Sequence, residues 1–306
     1  MNYHSDIIGW IKTFKNKPTY FYSPTILGRS FKYRFLNRLG IKAVRYDLPW
    51  GNKIDLSLSE GVGRAIAFSG VYELAMMELL SRILVNGDCA VDVGANIGYV
   101  SSLMAKRVGP SGKVFAFEPE PTLIKKLKNN ISIWDRTKNS DIRVVEGAVS
   151  SQSGKMTLIL PDGWETNQGL GTFSSERVNK FIRTVEVDAL TLDEFFNSEA
   201  LRINLLKIDV EGHELEVLKG ARGLLSRRQI TNIIFEENRN WVVEYLVEIG
   251  YSVFFIEKNF SGFSLKPVKS SVNSSNWEPN NYFATIQSAA DIQKWSARGW
   301  TVLRRQ

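Results

Sequence analysis

Asp92-Val93-Gly94-Ala95-Asn96-Ile97-Gly98 stands between a short apolar run, Cys89-Ala90-Val91, and the helical pattern GYVSSLMAKRVG of residues 98–109. A buried strand that turns through glycine straight into a helix is the repeating unit of open α/β sheets. Upstream of it, ELAMMELLSRIL (73–84) reads as a helix. Downstream, KVFAFEP (113–119) reads as a second strand, followed by a Lys-rich helix over Pro121–Ile133. Further strands are expected at Ile142–Glu146, Lys155–Leu160, Arg183–Val187, Asn204–Asp209, Thr231–Glu236, Ser252–Ile256 and Tyr282–Ile286, with helices at His213–Ser226 and near Trp241–Ile249. Thr191 and Glu194 have the T-x-x-E spacing of a capping box, which fixes the start of a short helix. Short apolar strands alternating with helices predict a doubly wound, mainly parallel α/β sheet covered on both faces.

The rest of the composition agrees with a globular chain. Its 306 residues, 43% of them hydrophobic, are enough for a sizeable core. Cys89 is the single cysteine, which excludes an internal disulfide or a multi-cysteine metal site and predicts a reducing, cytoplasmic setting. The first residues, MNYHSDIIGWIKTFKNK, lack the continuous apolar run and cleavage site of a secretion signal. Of the +7 net charge, residues 1–60 carry +6, from ten Lys/Arg and four Asp/Glu. This stretch is aromatic, is broken by Pro18, Pro24 and Pro49, and lacks the named nucleic-acid signatures. It reads as an accessory segment of about residues 1–67, either a plain solvated face or a peripheral contact with an anionic surface, ahead of a catalytic unit over 68–306. Two long loops, Pro161–Arg183 and Lys258–Asn281, are candidates for covering or selecting a substrate, with Gly169, Gly171, Ser174 and Ser175 supplying flexibility in the first.

The chemistry concentrates at the turn after the first strand. Gly94 permits a tight turn and Gly98 a close approach of the following helix, at the carboxyl edge where ligands of open α/β sheets sit. Glu118 ends the next strand, where a carboxylate can accept both ribose hydroxyls of an adenosine. A dinucleotide site would need G-x-G-x-x-G, but Asn96 occupies the middle glycine position and the third glycine is missing. Phosphate cradling is thereby disfavoured. Asp92, two positions before Gly94, suits a ligand carrying an amino group and a sulfonium cation, which points to S-adenosylmethionine.

Five stretches resemble the FkbM-type S-adenosylmethionine-dependent methyltransferases: SGVYE (69–73), VDVGANIGYVS (91–101), FEPEP (117–121), LTLDEF (190–195) and LLKIDVEGHELEVLKGA (205–221). The resemblance covers about residues 68–287. It implies the class I methyltransferase sheet, Rossmann-like and seven-stranded, and methyl transfer, most often to a hydroxyl oxygen. It further implies that Asp92, Gly94, Asn96 and Gly98 surround the methionine half of the cofactor, that Glu118 holds the ribose, that Ala148 lies near the adenine, and that Glu73 closes the pocket. The acceptor is not implied by it.

A second constellation, Asp209-Val210-Glu211-Gly212-His213-Glu214, falls where a later strand gives way to a helix. An alcohol needs a base to take its proton, and His213 is the preferred candidate. Asp209 could orient His213, contact the cofactor's amino group or itself be the base, whereas Glu211 reads as a first-turn partner of the helix dipole. One histidine and three carboxylates could also bind a divalent ion, but H-E-x-x-H fails because Val217 follows; no metal is assigned. Glu236, Asn238 and Trp241 are candidate substrate contacts. The acceptor is expected to be a sugar, glycan or natural-product hydroxyl; N-methylation, an NAD-type dehydrogenase and a nucleotide sensor on the same sheet stand as alternatives.

Overall fold

The computed structural model describes residues 18–174, 181–197, 201–236, 240–268 and 280–304. Their strands are β1 (Ala43–Asp47), β2 (Lys53–Ser57), β3 (Cys89–Val93), β4 (Lys113–Glu118), β5 (Ile142–Glu146), β6 (Ala148–Val149), β7 (Gly154–Pro161), β8 (Phe181–Leu190), β9 (Leu205–Ile208), β10 (Asn232–Glu236), β11 (Ser252–Asn259), β12 (Gly262–Pro267) and β13 (Asn281–Thr285). The principal sheet runs β12-β11-β13-β10-β9-β3-β4-β5. β5, β4, β3, β9 and β10 are mutually parallel, and β13 enters antiparallel between β10 and β11. The expected seven strands are therefore joined by an eighth, β12, which forms a hairpin with β11 at the edge. It lies inside the stretch read from sequence as the loop Lys258–Asn281: alternation in GFSLKP is too short and too rich in Ser and Lys to stand out.

Period-two alternation splits the central strands between two cores. Val91, Val93, Phe115, Phe117, Leu206, Ile208, Ile233 and Phe235 face one side, against Leu192, Phe196, Val217, Leu218, Leu224 and Leu225. Ala90, Val114, Ala116, Leu205 and Ile234 face the other, against Leu79, Leu80, Leu103 and Met104. Burial on both faces explains why these strands read as continuous apolar runs.

The helix expected over His213–Ser226 is broken into Glu214–Lys219 and Arg222–Ser226. A Cβ at Gly220 would come within 2.0 Å of the Ser150 carbonyl oxygen, so the break places bare backbone against Ser150 and Ser151, just beyond β6. Thr191 caps its short helix as its spacing predicts, accepting from the Glu194 amide at 3.0 Å. Residues 18–57 contribute two helices and the β1–β2 hairpin, whose Trp50 and Asn52 donate to Ser102 Oγ and the Ser102 carbonyl. β6, β7 and β8 form a separate three-stranded sheet whose chain continues over the carboxyl edge of the main one. At the opposite end of the chain, buried Glu78 accepts from Thr301 and Val302, and Arg82 donates to the carbonyls of Trp295 and Gly299. Among the described residues no helix is long and apolar enough to cross a membrane.

Candidate active site

Four successive parallel strands, β10, β9, β3 and β4, end at one cleft of about 170 Å³. Its floor is laid by Gly94–Ile97 after β3, Glu118–Glu120 after β4, Asp209–Glu211 after β9 and Glu236 at the end of β10; Glu73 closes one side. The roof is Leu158 and Leu160 of β7 together with Trp164, Asn167–Gly169, Gly171 and Phe173. Gly169 and Gly171 thus sit where a covering loop was expected. Ser174 is described but does not line the cleft, and Ser175 lies outside the described residues.

Three of the lining residues, Glu73, Asn96 and Glu211, hold the left-handed backbone near φ +50° without being glycine. Such conformations cost energy and gather where function over-determines the chain. Glu73 is tied to Asn281, whose Nδ2 donates to its Oε1 at 3.2 Å. Glu211 lies before the helix that begins at Glu214, so it is a wall of the cleft and not a first-turn partner of the dipole.

Glu118 accepts from the Asn96 amide at 2.8 Å and from the Glu120 amide at 3.0 Å, one on each oxygen. Each oxygen keeps a lone pair for a further donor. Burial outweighs these bonds and pushes the carboxyl up to about 7. Glu236 is pushed up to about 9 by burial, with Asp209, Glu211, Glu73 and Glu214 adding repulsion.

The floor also holds a lining residue that sequence reading missed. Lys207, 4% exposed, points its Nζ at Gly94 O (3.3 Å), Asp209 Oδ2 (3.2 Å) and Asp92 Oδ1 (3.5 Å). Burial, the largest single effect, lowers its pKa, but the carboxylates of Asp209, Asp92 and Glu73 together outweigh it and the net shift is upward. The available signal was a charged residue inside the apolar run LLKI: Lys207 is the parallel partner of Asp92 across β3 and β9, on the same face by strand parity.

Several expected contacts are placed elsewhere. Asp92 is fully buried under the cleft, accepting from Ser101 Oγ at 2.6 Å and facing Lys207. Gly94 lines the cleft, but its need for glycine comes from φ +81° and from the Asp209 carbonyl oxygen, 1.9 Å from where a Cβ would be. Gly98 does not line the cleft; at φ +87° it lets Leu127 and Trp134 approach. Ala148 is buried in β6, away from the lining. His213 is also off the lining, with Nε2 2.9 Å from Ser150 Oγ and its ring against Phe173; burial lowers its pKa. Trp241 opens the helix Trp241–Glu248 and is exposed, off the cleft; Asn238 lies outside the described residues. Among the described residues no group of three or more His, Cys, Asp or Glu side chains is arranged to hold a metal ion.

A parallel sheet with one antiparallel strand inserted next to the edge hairpin, and a cleft at its carboxyl edge, have the doubly wound architecture of the class I methyltransferases. The profile of the Methyltransferase FkbM domain matches residues 92–253, more than half of the chain, and the protein belongs to that family. S-adenosylmethionine is the cofactor of that family. The donor set fits it: Glu118 has two free acceptor positions for a diol, and Glu73 and Asp209 offer carboxylates to cationic groups. Similar characterised proteins include methyltransferase sdnD of Sordaria araneosa, 34% identical over 159 residues, covering 43% of this chain and 59% of the relative. Hexuronic acid methyltransferase AglP of Haloferax volcanii is 33% identical over 165 residues, 54% of this chain and 62% of that one. The 2-O-methyltransferase NoeI of Sinorhizobium fredii is 25% identical over 158 residues, 48% and 61%. The chain spans about three fifths of the length of these relatives.

Proposed function

We propose that this chain is an S-adenosylmethionine-dependent O-methyltransferase acting on a hydroxyl of a sugar, glycan or natural product. One observation carries the reading: the Glu118 carboxylate shares a single cleft with the Gly94–Asn96 turn, Glu73 and Asp209. The name of AglP, for hexuronic acid, supports a sugar acceptor, and that of NoeI, for 2-O transfer, supports an oxygen as the methylated atom. Residues 68–306 form the catalytic unit in this reading. The segment before it is an accessory that braces the helix Tyr99–Val108 through Trp50 and Asn52. The single cysteine, buried and without a second thiol to pair with, suits a reducing cytoplasm.

When bound, the cofactor supplies a methyl group activated by a sulfonium. Glu118 holds the ribose by accepting from its hydroxyls, and Glu73 receives the amino group. The Leu158–Phe173 roof excludes water and orients the acceptor over the floor. The acceptor oxygen must lose its proton as it is methylated. Asp209 is the base we favour: it lines the cleft, ion-paired through Oδ2 with Lys207, while Glu236 beside it is loaded with a proton at neutral pH and serves as a hydrogen-bond donor to the acceptor. His213 orients the roof through Phe173 and anchors to Ser150.

Calorimetry with S-adenosylhomocysteine and with NAD, followed by transfer of labelled methyl to glycosides including hexuronates, tests the reading. The expected result is binding of the first alone and label in an alkali-stable ether. Asp209→Asn should abolish transfer and His213→Asn should lower it modestly; the reverse order would restore His213 as the base, and NAD binding would remove the methyltransferase reading.

A further inference from the structure

The helix Pro24–Arg38 carries two apolar stripes, and the fold uses one of them. Ile26, Ser30 and Tyr33 are buried as this helix packs on the helix Gly61–Ser69: Tyr33 lies against Tyr46, Tyr20 donates to the Phe68 carbonyl and Arg34 stacks over the Phe68 ring. The second stripe faces outward: Phe31 is 59%, Phe35 61% and Leu39 61% exposed, spaced four residues apart so that they rise along one side. Lys32 flanks the stripe on one side and Arg34 and Arg38 on the other. A second group of exposed rings, Phe21, Tyr22 and Phe260, clusters where the preceding helix meets the β11–β12 turn, with centroids 5.2 to 6.0 Å apart. Between Pro18 and Tyr46 the sequence has six Lys or Arg and no Asp or Glu.

We propose that this face seats the protein on an anionic lipid bilayer, with Phe31, Phe35 and Leu39 entering the boundary between headgroups and acyl chains and Lys32 and Arg38 at the phosphates. Apolar rings framed by cations on a helix lying in the surface plane are what a membrane interface selects. The charge argues for lipid over a second copy of this chain: a two-fold pairing of the face would set cations against cations, with no carboxylate on the helix to relieve them. The inference does not depend on the reaction assigned to the cleft.

Flotation of the full chain with phosphatidylcholine vesicles, with and without about one third phosphatidylglycerol, tests it. The protein should float with the anionic vesicles and stay behind with the neutral ones. Binding should weaken between about 0.1 M and about 1 M salt, as the screening length falls from about 10 to about 3 Å. Lys32→Gln with Arg38→Gln should weaken partition about thirtyfold, from about 1 kcal/mol per cation. Phe31→Ser with Phe35→Ser should weaken it at least tenfold, with circular dichroism and S-adenosylhomocysteine affinity unchanged in both variants. Failure to float, equal flotation on neutral vesicles, or double variants that bind like the parent would each overturn the proposal. So would a dimer in sedimentation that the phenylalanine changes dissolve while vesicles leave the protein unbound. A chain that floats yet ignores S-adenosylhomocysteine would uphold the docking face while removing the methyltransferase reading.

Discussion

Glu118 joins cofactor binding to pH. Its carboxyl is buried and pushed up to about 7, so in the empty cleft at pH 6 it is about nine-tenths protonated. A ribose diol donates two hydrogen bonds to the ionised form and favours it. Binding at pH 6 should therefore release close to one proton from this group, against about a tenth of one at pH 8, and affinity for S-adenosylhomocysteine should fall about tenfold from pH 8 to pH 6. Titration calorimetry in buffers of different ionisation enthalpy reads the released proton directly. Glu118→Gln should bind weakly and remove both the release and the pH dependence. The unliganded protein carries the same linkage in its stability. Because the folded pKa lies above the unfolded one, the folded state holds the extra proton, and stability is lost as pH rises from about 4.5 through about 7, by roughly 3 kcal/mol in all. The glutamine variant, lacking the ionisation, should show a flatter urea-unfolding profile over that range. Flat affinity between pH 6 and 8 with no proton release in the parent protein would refute the placement of the diol on Glu118.

Lys207→Met leaves Asp92 and Asp209 without their common cation, and a broken buried pair costs about 3 to 5 kcal/mol, measurable as a lower urea midpoint; adding Asp92→Asn should recover part of the loss. Gly94→Ala drives a methyl into the Asp209 carbonyl at a positive φ and should destabilise the fold severely. Gly169→Ala, which meets nothing nearer than 3.5 Å, should leave the thermal midpoint unchanged, and an equal loss in both variants would contradict the assignment of strain to the floor alone.

The sheet was legible because its strands are buried on both faces: CAVDV and KVFAFE read as apolar runs whatever packs on them, and Glu118 ends its run at the edge where ligands bind. Lys207 escaped notice because a lysine in a strand has meaning only across the ladder, and the pairing of β3 with β9 joins residues 115 positions apart, as Ala90 with Leu205. His213 and Asp209 share one short stretch of sequence, yet the turn with Glu211 at φ 50° and Gly212 at φ 94° directs them to different surroundings. Chain proximity could not separate them. Asp92 was read as suiting an amino group and a sulfonium, whereas the structure sets it, fully buried, against Ser101 and Lys207. The eighth strand and the break at Gly220 depend on contacts with distant backbone that no local pattern records.

The cleft is assembled from separable stretches of chain. Its floor comes from the strand ends of the main sheet, while its roof is one continuous run from Leu158 to Phe173 hung on the small sheet of β6, β7 and β8. Under the proposed function, sequence change in that run would reshape the acceptor's side of the cleft while leaving the strand-end floor intact. A scaffold of this kind lends itself to grafting: if the roof selects the acceptor as proposed, exchanging residues 158–173 between relatives should change the acceptor and ask nothing of Glu118 or Lys207.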